Sequence, residues 1–572
     1  MKVIYKTVAL AALSAAPLLG NAQAAVDLYN LSRPDMRGTA RFMSMGGAFT
    51  ALGGDLSSLN QNPAGIGIYR SSEVGLTLNL DFQSSKTDAQ GLSTSDDQTK
   101  FTFNNFGYIG TIRLNSESCP TFSWGASYAR VQSFDRVFRG GIRNLGGASL
   151  SNYVAAMTNS EGWTPQEMFP DNRPNSWNPY RDTQAPWLSL LAYQGYAIND
   201  QYNSNDEFEG FQGLMGDDTG GSASFQVREK GYVDEYSINF GGNVYNTVYW
   251  GIGFGITDIN YTQQTFYEEN LSDAYIAAES RTEQGNFGMA RGTADYRLSN
   301  YLNSNGTGFN VKFGVIVKPV NELRIGFAVH TPTWYQMTDT YWGAIGYDYR
   351  PGRGMAPDGS MVDYANEYLD NSGIAETNNG VSDYTNYNMR TPWRMMVGIA
   401  GVIGGQGILS MDYEYRGTNM QASSSDGYTY EDVKADVKQY FKGTNILRLG
   451  AEYRVTRQFS LRLGYSYEWS GVKQQAANDG LNIWTAGTLP SYTFDNNTQY
   501  ITAGLGYRVG GFYADLAYVN RHRESTWHAF SPIVVQETID QGSPAAKVSD
   551  NRNQVVLLSL IHISEPTRRS YI

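Results

Sequence analysis

Hydrophobic and polar residues alternate strictly in many short segments of this chain. Between residues 459 and 469 the odd positions carry large apolar side chains, whereas the even positions carry serine, glycine or charged residues. Segment 447–455 shows the same period of two, and only residues 456–458 separate the two segments. This period is typical of β-strands with two different faces, so the pair predicts a tight hairpin. The same alternation recurs at 248–256, 311–317, 323–329, 409–415, 503–509 and 512–518.

The pattern predicts fourteen strands, which start near residues 72, 104, 121, 224, 247, 309, 322, 391, 407, 445, 459, 500, 511 and 551. Short connections between them lie at 115–120, 242–246, 318–321, 404–406, 456–458 and 509–510. Long connections alternate with the short ones and lie at 83–103, 140–223, 268–308, 340–390, 416–444, 470–499 and 520–550.

The lengths of the connections decide between two folds that the alternation alone leaves open. In a soluble sandwich the apolar face would form the core, whereas in a membrane barrel it would face lipid. Short turns that alternate with long loops are typical of outer-membrane barrels. We therefore predict an all-β fold, a 14-stranded antiparallel transmembrane β-barrel.

Composition and charge agree with an exported membrane barrel and exclude several other classes. The chain has 572 residues, of which 62 are glycine and 41 tyrosine, and its net charge of -12 disfavours nucleic acid as a partner. No segment approaches the roughly 20 apolar residues of a spanning helix. The single cysteine, Cys119, excludes a disulfide framework. We expect neither a cofactor nor a metal.

The N-terminus predicts export. Lys2 and Lys6 precede an apolar run at 7–20, and Ala22-Gln23-Ala24 has the small-residue pattern of a signal peptidase site. We therefore expect residues 1–24 to be a cleaved signal peptide.

The segment before the first strand is compact, apolar and rich in glycine. Residues 38–69 read GTARFMSMGGAFTALGGDLSSLNQNPAGIGIY. Gly46-Gly47-Ala48, Asp55 and Asn62-Pro63-Ala64-Gly65 resemble the N-terminal hatch of the FadL/TodX family of outer-membrane transporters for long-chain fatty acids and other hydrophobic compounds. Three later stretches also resemble the family's strands, namely GFNVKFGVIVKPVNELRIGFAVHTPTWY, TPWRMMVGIAG and NILRLGAEYRVTRQFSLRLGYSYEW.

The resemblance implies a hatch at residues 25–70 that plugs the lumen of a barrel at 71–557. It implies passive uptake, in which the ligand is captured among external loops, enters a lumen pocket and leaves through a sideways opening in the third strand. The expected partners are a hydrophobic ligand of the fatty-acid class, outer-membrane lipid and the barrel-assembly machinery, with the protein itself a monomer. The long external loops depart from the family and leave the ligand's identity open.

Two groups of hatch residues are candidates for different tasks. We expect one group to contribute apolar surface to the ligand pocket: Phe42, Met43, Met45 and Phe49. We expect the other group to fix the junction between the hatch and the first strand without touching ligand: Asn62, Pro63, Ala64 and Gly65.

The second external loop contains an apolar cluster with helical potential. Its members are Trp187, Leu188, Leu190, Leu191 and Tyr193. In a loop that faces water, such a cluster either captures ligand or packs the loop against its neighbours. The sequence leaves both interpretations open.

Charged residues on the inward register predict a network of salt bridges that braces the wall, with binding of a ligand carboxylate by one arginine as the alternative. They are Asp412, Glu414, Arg416, Arg448, Glu452, Arg454, Arg462 and Glu468. Of the histidines, His330 alone lies on an inward register, and one residue is not a catalytic site. The stretch from Arg521 to His528 is better explained as a polar loop, so we expect no enzyme.

The rival functions are a non-specific porin and a structural surface protein. An open diffusion pore needs water in its lumen, whereas about 45 residues of this chain are available to fill it. The hatch therefore favours the transporter.

The last residues interrupt the pattern of the final strand. Residues 558–572 read LSLIHISEPTRRSYI and resemble the in-frame translation of a transposase adapter used in sequencing libraries. Pro566 also lacks the amide that a paired strand needs. We expect this tail to be artefactual, and resequencing of the intact locus tests it.

Overall fold

The computed structural model describes residues 24–114, 116–171, 173–203, 205, 207–279, 287–355, 361–363, 372–425, 428–535 and 538–563. Residues 1–23 of the predicted signal peptide and residues 564–572 of the predicted tail lie outside these ranges. Within the described residues, no helix is both long enough and apolar enough to cross a bilayer.

Strands make up most of the structure. In chain order they are β1 (Ser72–Ala89), β2 (Leu92–Arg113), β3 (Thr121–Ser133), β4 (Arg136–Ile142), β5 (Ile198–Tyr202), β6 (Phe208–Gly213), β7 (Gly220–Val244), β8 (Val248–Glu279), β9 (Phe287–Val320), β10 (Leu323–His330), β11 (Trp334–Met355), β12 (Met361–Asp363), β13 (Ser372–Glu376), β14 (Asp383–Arg390), β15 (Arg394–Ile403), β16 (Gly407–Arg416), β17 (Ala422–Ser425), β18 (Tyr428–Thr429), β19 (Thr444–Arg454), β20 (Phe459–Glu468), β21 (Tyr492–Val509), β22 (Phe512–His528), β23 (Ile533–Val535), β24 (Thr538–Gln541) and β25 (Ala545–Ile563).

The helices are short and lie in the N-terminal segment and the long loops. They are α1 (Ala25–Leu31), α2 (Ala40–Ser44), α3 (Ser58–Gln61), α4 (Leu150–Ser160), α5 (Pro165–Met168), α6 (Pro179–Asp182), α7 (Trp187–Gln194), α8 (Glu431–Tyr440) and α9 (Gln474–Ala477), with 3-10 helices at Pro63–Ile68, Thr377–Gly380 and Thr418–Met420.

Fourteen antiparallel strands close into one barrel, as predicted. The ring runs β1, β2, β3, β7, β8, β9, β10, β15, β16, β19, β20, β21, β22 and β25, and β25 pairs with β1 to close it. On the side of the long loops, β4 continues β3, whereas β11, β14 and β17 continue β10, β15 and β16.

The orientation of the side chains identifies a membrane barrel. On β20, Leu463 is 64% exposed, whereas Arg462 and Glu468 are 7% and 6% exposed. A soluble sandwich would bury the leucine and expose the charges, because its apolar face forms the core. Apolar residues outside and charges inside are the arrangement of a transmembrane barrel.

The strands on the long-loop side extend further than the alternation predicts. The predicted connections 83–103 and 268–308 are largely the upper parts of two paired hairpins, β1–β2 and β8–β9. Beyond the bilayer neither face meets lipid, so these parts lack the apolar alternation that reveals a strand. The two connections were therefore wrongly predicted as loops.

The final strand also corrects a predicted boundary. Strand β25 continues past residue 557 to Ile563 and pairs with β1 and β22, and Leu558 and Leu560 face the interior. Residues 558–563 are mostly apolar, which suits either face of the wall. They therefore belong to the barrel wall in this structure, while their origin from an adapter stays a prediction.

Candidate functional site

Residues 24–70 lie inside the barrel, where most of their side chains are buried. Helix α2 packs against β20, β21, β22 and β25, and the 3-10 helix Pro63–Ile68 packs against β3, β7, β8 and β9. The segment that resembles a hatch therefore contacts opposite sides of the wall.

The four predicted ligand residues of the hatch are buried between this segment and the wall. Met43, Met45 and Phe49 are fully buried, and the ring of Phe42 lies 5.4 Å from that of Phe49. They share one apolar cluster with wall residues of β21, β22 and β25. None of the four lines either of the two lumen cavities described below, so their contact with ligand stays a prediction.

Wall glycines let the hatch approach the strands closely. A Cβ atom on Gly326 or Gly398 would collide with residues 50–51, and one on Gly464 would collide with Gly46. Glycine is the residue that permits such close contact between backbones. The glycines of the hatch itself are apparent from the sequence, whereas these partners in the wall are not.

The Asn62-Pro63-Ala64-Gly65 stretch forms a capped turn. The Asn62 Oδ1 atom accepts a hydrogen bond from the Ala64 amide at 3.0 Å, and its Nδ2 donates to the Thr50 carbonyl at 2.6 Å. Pro63 begins the 3-10 helix. Wall glycines of β8 and β9 lie directly against residues 62–64. These contacts tie the stretch to the hatch and to the wall.

Seven of the eight inward charges predicted from the sequence are buried, and six of the seven form the expected network of salt bridges. Asp412 instead accepts hydrogen bonds from the Thr50 amide at 2.7 Å and from Gln61 Nε2 at 2.9 Å. Glu414, for example, pairs with Arg394 at 2.8 Å and with Arg448 at 2.6 Å. The prediction for Arg454 was wrong, because this residue is exposed next to the short turn at 455–458, where the wall ends.

The network also holds the hatch. Arg33 of the hatch pairs with Glu468 at 2.9 Å, and Arg41 pairs with Glu452 at 3.0 Å. Breaking such buried pairs is costly because the remaining partner is left as an uncompensated charge. The charges therefore hold the hatch in one position.

Asp55 lies within the hatch itself. Thr39 Oγ1 donates to both of its carboxylate oxygens at 2.8 Å, and the Ser57 amide donates at 2.9 Å. Burial raises the pKa of Asp55, and the charge of Arg41 offsets this rise only in part.

A cavity of about 70 Å³, here called the lumen cavity, lies between the end of α1 and the wall. Its lining combines apolar groups such as Leu31, Pro34 and Tyr335 with the cations Lys312 and Arg394. Lys312 forms a salt bridge with Glu235, which also lines the cavity. A second cavity of about 50 Å³ lies at the start of α1.

The wall is interrupted at the third strand. Ladder pairing between β2 and β3 ends at Asn105 and Ala129, and residues 134–135 separate β3 from β4. On the long-loop side of this point the described parts of β2 and β4 form no ladder, although Arg139 of β4 pairs with Asp96 of β2 at 3.3 Å. We call this interruption the wall break. It lies where the family resemblance implies a sideways opening.

Asp35 of the hatch occupies the inner side of the wall break. Its amide donates to the Val131 carbonyl at 2.9 Å, and its Oδ2 accepts from the Ser133 amide at 3.2 Å. Asp35 was not among the site residues predicted from the sequence, because no local pattern distinguishes it from the neighbouring charged residues Arg33 and Arg37.

The predicted external cluster forms helix α7. Leu188, Leu190 and Leu191 are buried in the core of the external loops, so they pack these loops in this structure. Trp187 and Tyr193 are partly exposed and contact aromatic rings of neighbouring segments. Capture of ligand at α7 stays a prediction, and it rests on these two rings.

In the ranges that the structure describes, no group of three or more His, Cys, Asp or Glu side chains is arranged to hold a metal ion. His330 contacts the Gln61 carbonyl through Nε2 at 2.9 Å and lines the lumen cavity.

Comparisons with known proteins retrieve solved barrel structures. No protein-family model and no curated protein matches the chain. It is similar to a FadL homologue of Pseudomonas aeruginosa, with 12% identity, a TM-score of 0.48 and coverage of 93% of this chain and 99% of that one. It is also similar to the Ralstonia pickettii toluene transporter TbuX, with 13% identity, a TM-score of 0.42 and coverage of 94% and 100%. For the Pseudomonas putida toluene transporter TodX the values are 12%, 0.41, 93% and 100%.

Proposed function

We propose that this protein is a transporter of the FadL/TodX type in the outer membrane, which takes up long-chain fatty acids or similar hydrophobic compounds passively. The observation that carries the proposal is the position of the hatch. It fills the lumen, borders a cavity with apolar and cationic lining, and covers the wall break with Asp35. An amphiphilic ligand fits such a lining, because its chain and its headgroup need different partners.

Uptake requires the hatch to move. The lumen cavity encloses about 70 Å³, whereas pockets for drug-sized ligands enclose roughly 300–1,000 Å³. The structure therefore corresponds to a closed state in the proposed cycle. The ligand enters among the external loops, displaces part of the hatch and leaves through the wall break into the outer-membrane lipid.

The hatch distinguishes this proposal from a non-specific porin. Porins keep a water-filled lumen, whereas this lumen holds residues 24–70 and cavities of about 70 and 50 Å³. A purely structural surface protein would have no use for a hatch beside a break in the wall. As in the sequence-based expectation, we propose that the protein acts as a monomer, without cofactor, after insertion by the barrel-assembly machinery.

Binding and uptake of a labelled long-chain fatty acid test the proposal. The purified protein in detergent should bind the fatty acid, and liposomes that contain it should accumulate the label. Deletion of residues 25–70 should reduce binding and open a conductance for polar solutes, with heat-modifiable gel migration as the check on barrel folding. Conductance of polar solutes by the intact protein, without fatty-acid binding, would instead establish the porin.

A further inference from the structure

Basic residues concentrate at the end of the barrel that carries the short turns. The exposed charged residues described there include five arginines, whereas the exposed acids are Glu117 and Glu322. The five are Arg70, Arg113, Arg454, Arg457 and Arg508. The whole chain has 43 basic and 55 acidic residues, so the charge of this end is opposite in sign to that of the molecule.

Three of these arginines lie on neighbouring strands and turns. Arg454 ends β19, and Arg457 lies in the turn to β20. Arg508 of β21 donates its amide to the carbonyl of Gln458, in that same turn, at 2.9 Å. We call Arg454, Arg457 and Arg508 the rim arginines. They place three positive charges on one side of the barrel's short-turn end.

The protein does not neutralise the charges of the rim arginines. Within the described residues none of the three forms a salt bridge, whereas Arg462 of β20 pairs with Glu452 at 2.7 Å. The Arg508 Cζ atom lies 4.6 Å from the centroid of the Tyr513 ring, a contact that orients the side chain and leaves its charge in place. Exposed guanidinium groups without a carboxylate partner offer their donors to an anion from outside the protein.

The lipid-facing surface of the wall begins directly beside the rim arginines. Phe459 and Tyr507 point outward, with exposures of 53% and 40%, and their ring centroids lie 4.9 Å apart. Further along β20, Leu461 and Leu463 are also exposed. Aromatic side chains mark the interface of a membrane barrel, and the apolar band beyond them meets acyl chains. The rim arginines therefore lie at the level of lipid headgroups.

We propose that the rim arginines and the adjoining outward face of β20 and β21 form a binding site for an anionic phospholipid of the periplasmic leaflet. Short turns face the periplasm in outer-membrane barrels. The guanidinium groups bind the phosphate of the headgroup, because their planar forks match its oxygens. The acyl chains lie along Phe459, Leu461 and Tyr507.

The bound lipid anchors this side of the barrel at a fixed depth in the membrane. The inference goes beyond the proposed function, because it concerns the lipid around the barrel and holds whatever ligand the lumen transports.

Titration of the purified protein with lipid tests the inference. In neutral detergent micelles, native mass spectrometry measures the binding of dioleoylphosphatidylglycerol, which is anionic, and of dioleoylphosphatidylcholine, which is zwitterionic. Wild type should bind the phosphatidylglycerol more tightly. When Arg454→Gln, Arg457→Gln and Arg508→Gln are combined, this affinity should fall roughly tenfold or more, because each arginine near an anionic lipid contributes to the attraction. The affinity for phosphatidylcholine should fall much less.

The matched control replaces three exposed cations on the long-loop side by Gln, namely Lys86, Arg143 and Arg228. It changes the net charge by the same amount and should retain the preference for phosphatidylglycerol. Equal affinity of wild type for the two lipids, or equal losses in the two triple variants, would overturn the inference and leave the proposed function untouched.

Two measurements on wild type decide the inference even if the rim variant does not fold. Binding of phosphatidylglycerol should weaken as sodium chloride is raised, because salt screens the attraction between exposed charges. Glycerol 3-phosphate, which carries a phosphate without acyl chains, should not displace the lipid at equal concentration, because the apolar band holds the chains. Displacement by it would assign the rim arginines to a soluble phosphate compound and overturn the lipid site, and so would binding that is insensitive to salt.

Discussion

At the scale of single residues, the buried acids of the hatch respond to their surroundings in opposite ways. Burial raises the pKa of Asp55, with only partial compensation from Arg41. Burial would also raise the pKa of Asp35, but Arg521, Arg552, Arg523 and Arg37 together hold it well below its ordinary value. Asp35 therefore stays charged at the wall break, whereas the surroundings of Asp55 favour its protonated form.

The raised pKa of Asp55 predicts that the hatch docks more firmly at acid pH. A raised folded-state pKa stabilises the protonated form, so this contribution is present below the ordinary pKa and is lost as pH rises through the raised value. Hydrogen exchange of amides 39–61, corrected for intrinsic rates, should slow as the pH falls towards the ordinary aspartate pKa of about 4. Asp55→Asn should flatten this dependence, whereas Asp217→Asn, a change of an exposed loop residue, should preserve it. An unaltered pH profile in Asp55→Asn would contradict the prediction.

The burial of Met43 and Met45 predicts that docking of the hatch on the wall depends on apolar contacts. Both side chains are fully buried, so replacing them by Asp places unpaired charges against the wall, at a cost of at least about 3 kcal/mol of docking free energy. The double variant should bind fatty acid more weakly and lose protection of the hatch from proteases. The wall should still fold, because its strands pair with one another.

The matched control replaces Met43 and Met45 by Leu, which is similar in volume and remains apolar. This variant should bind ligand like wild type. Unchanged affinity in the double Asp variant would show that the hatch does not contribute to the ligand site.

At the scale of elements, glycines on the wall strands allow the hatch backbone to pack closely against them. On β15, a Cβ atom on Gly398 would lie 2.9 Å from Thr50 Cβ and 3.2 Å from the Ala51 amide, and 2.3 Å from Oδ1 of Asp412, which itself accepts a hydrogen bond from the Thr50 amide. On the same strand, a Cβ atom on Gly401 would lie 3.9 Å from the Glu322 carbonyl oxygen. Two glycines three positions apart therefore have different surroundings.

This pair of glycines predicts that Gly398→Ala destabilises hatch docking by about 1–3 kcal/mol, the usual cost of overpacking. Gly401→Ala should have little effect, because its new methyl group meets ordinary van der Waals distances. Protection of amides 44–52 from hydrogen exchange measures the stability of hatch docking in both variants. If the two variants lose equal protection, the close contact of β15 with the hatch does not hold the hatch in place.

At the scale of the whole molecule, the proposed transport couples a rigid wall to a plug that has to move. Each wall strand pairs with its two neighbours from β1 around to β25, with one interruption at the wall break. The hatch, in contrast, is attached by salt bridges such as Arg41–Glu452 and by apolar packing. Side-chain contacts of this kind can exchange one by one, while loss of a wall strand would leave unpaired backbone in lipid. The hatch is therefore the element expected to move.

If the hatch has to move, a covalent tether between the hatch and the wall should abolish uptake. With Cys119→Ser as background, Arg41→Cys and Glu452→Cys place two thiols on either side of the interface, and a bifunctional thiol reagent bridges the span of the present ion pair. Cross-linked protein in liposomes should stop fatty-acid uptake, and a cleavable reagent should restore it on reduction. The control joins Thr39→Cys to Asp55→Cys within the hatch, which should leave uptake intact. Continued uptake through the tethered protein would refute gating by the hatch.

The sequence by itself determined the barrel and the place of its strands within the membrane. Alternation such as that of residues 459–469 has a physical cause, because one face of each strand meets lipid and the other meets the lumen. The motif Asn62-Pro63-Ala64-Gly65 likewise marked the segment that lies inside the barrel. Local pattern and local turn chemistry suffice for such features.

The tertiary structure alone decided which residues meet across the lumen. Asp35 lies hundreds of positions from Arg521 and Arg552 in the chain, and Gly398 is equally remote from Thr50, so no local period relates them. The upper parts of β8 and β9 also escaped prediction, because outside the bilayer nothing imposes an apolar face. Closure of the barrel brings these distant positions together, and the proposed site exists only as a result of that closure.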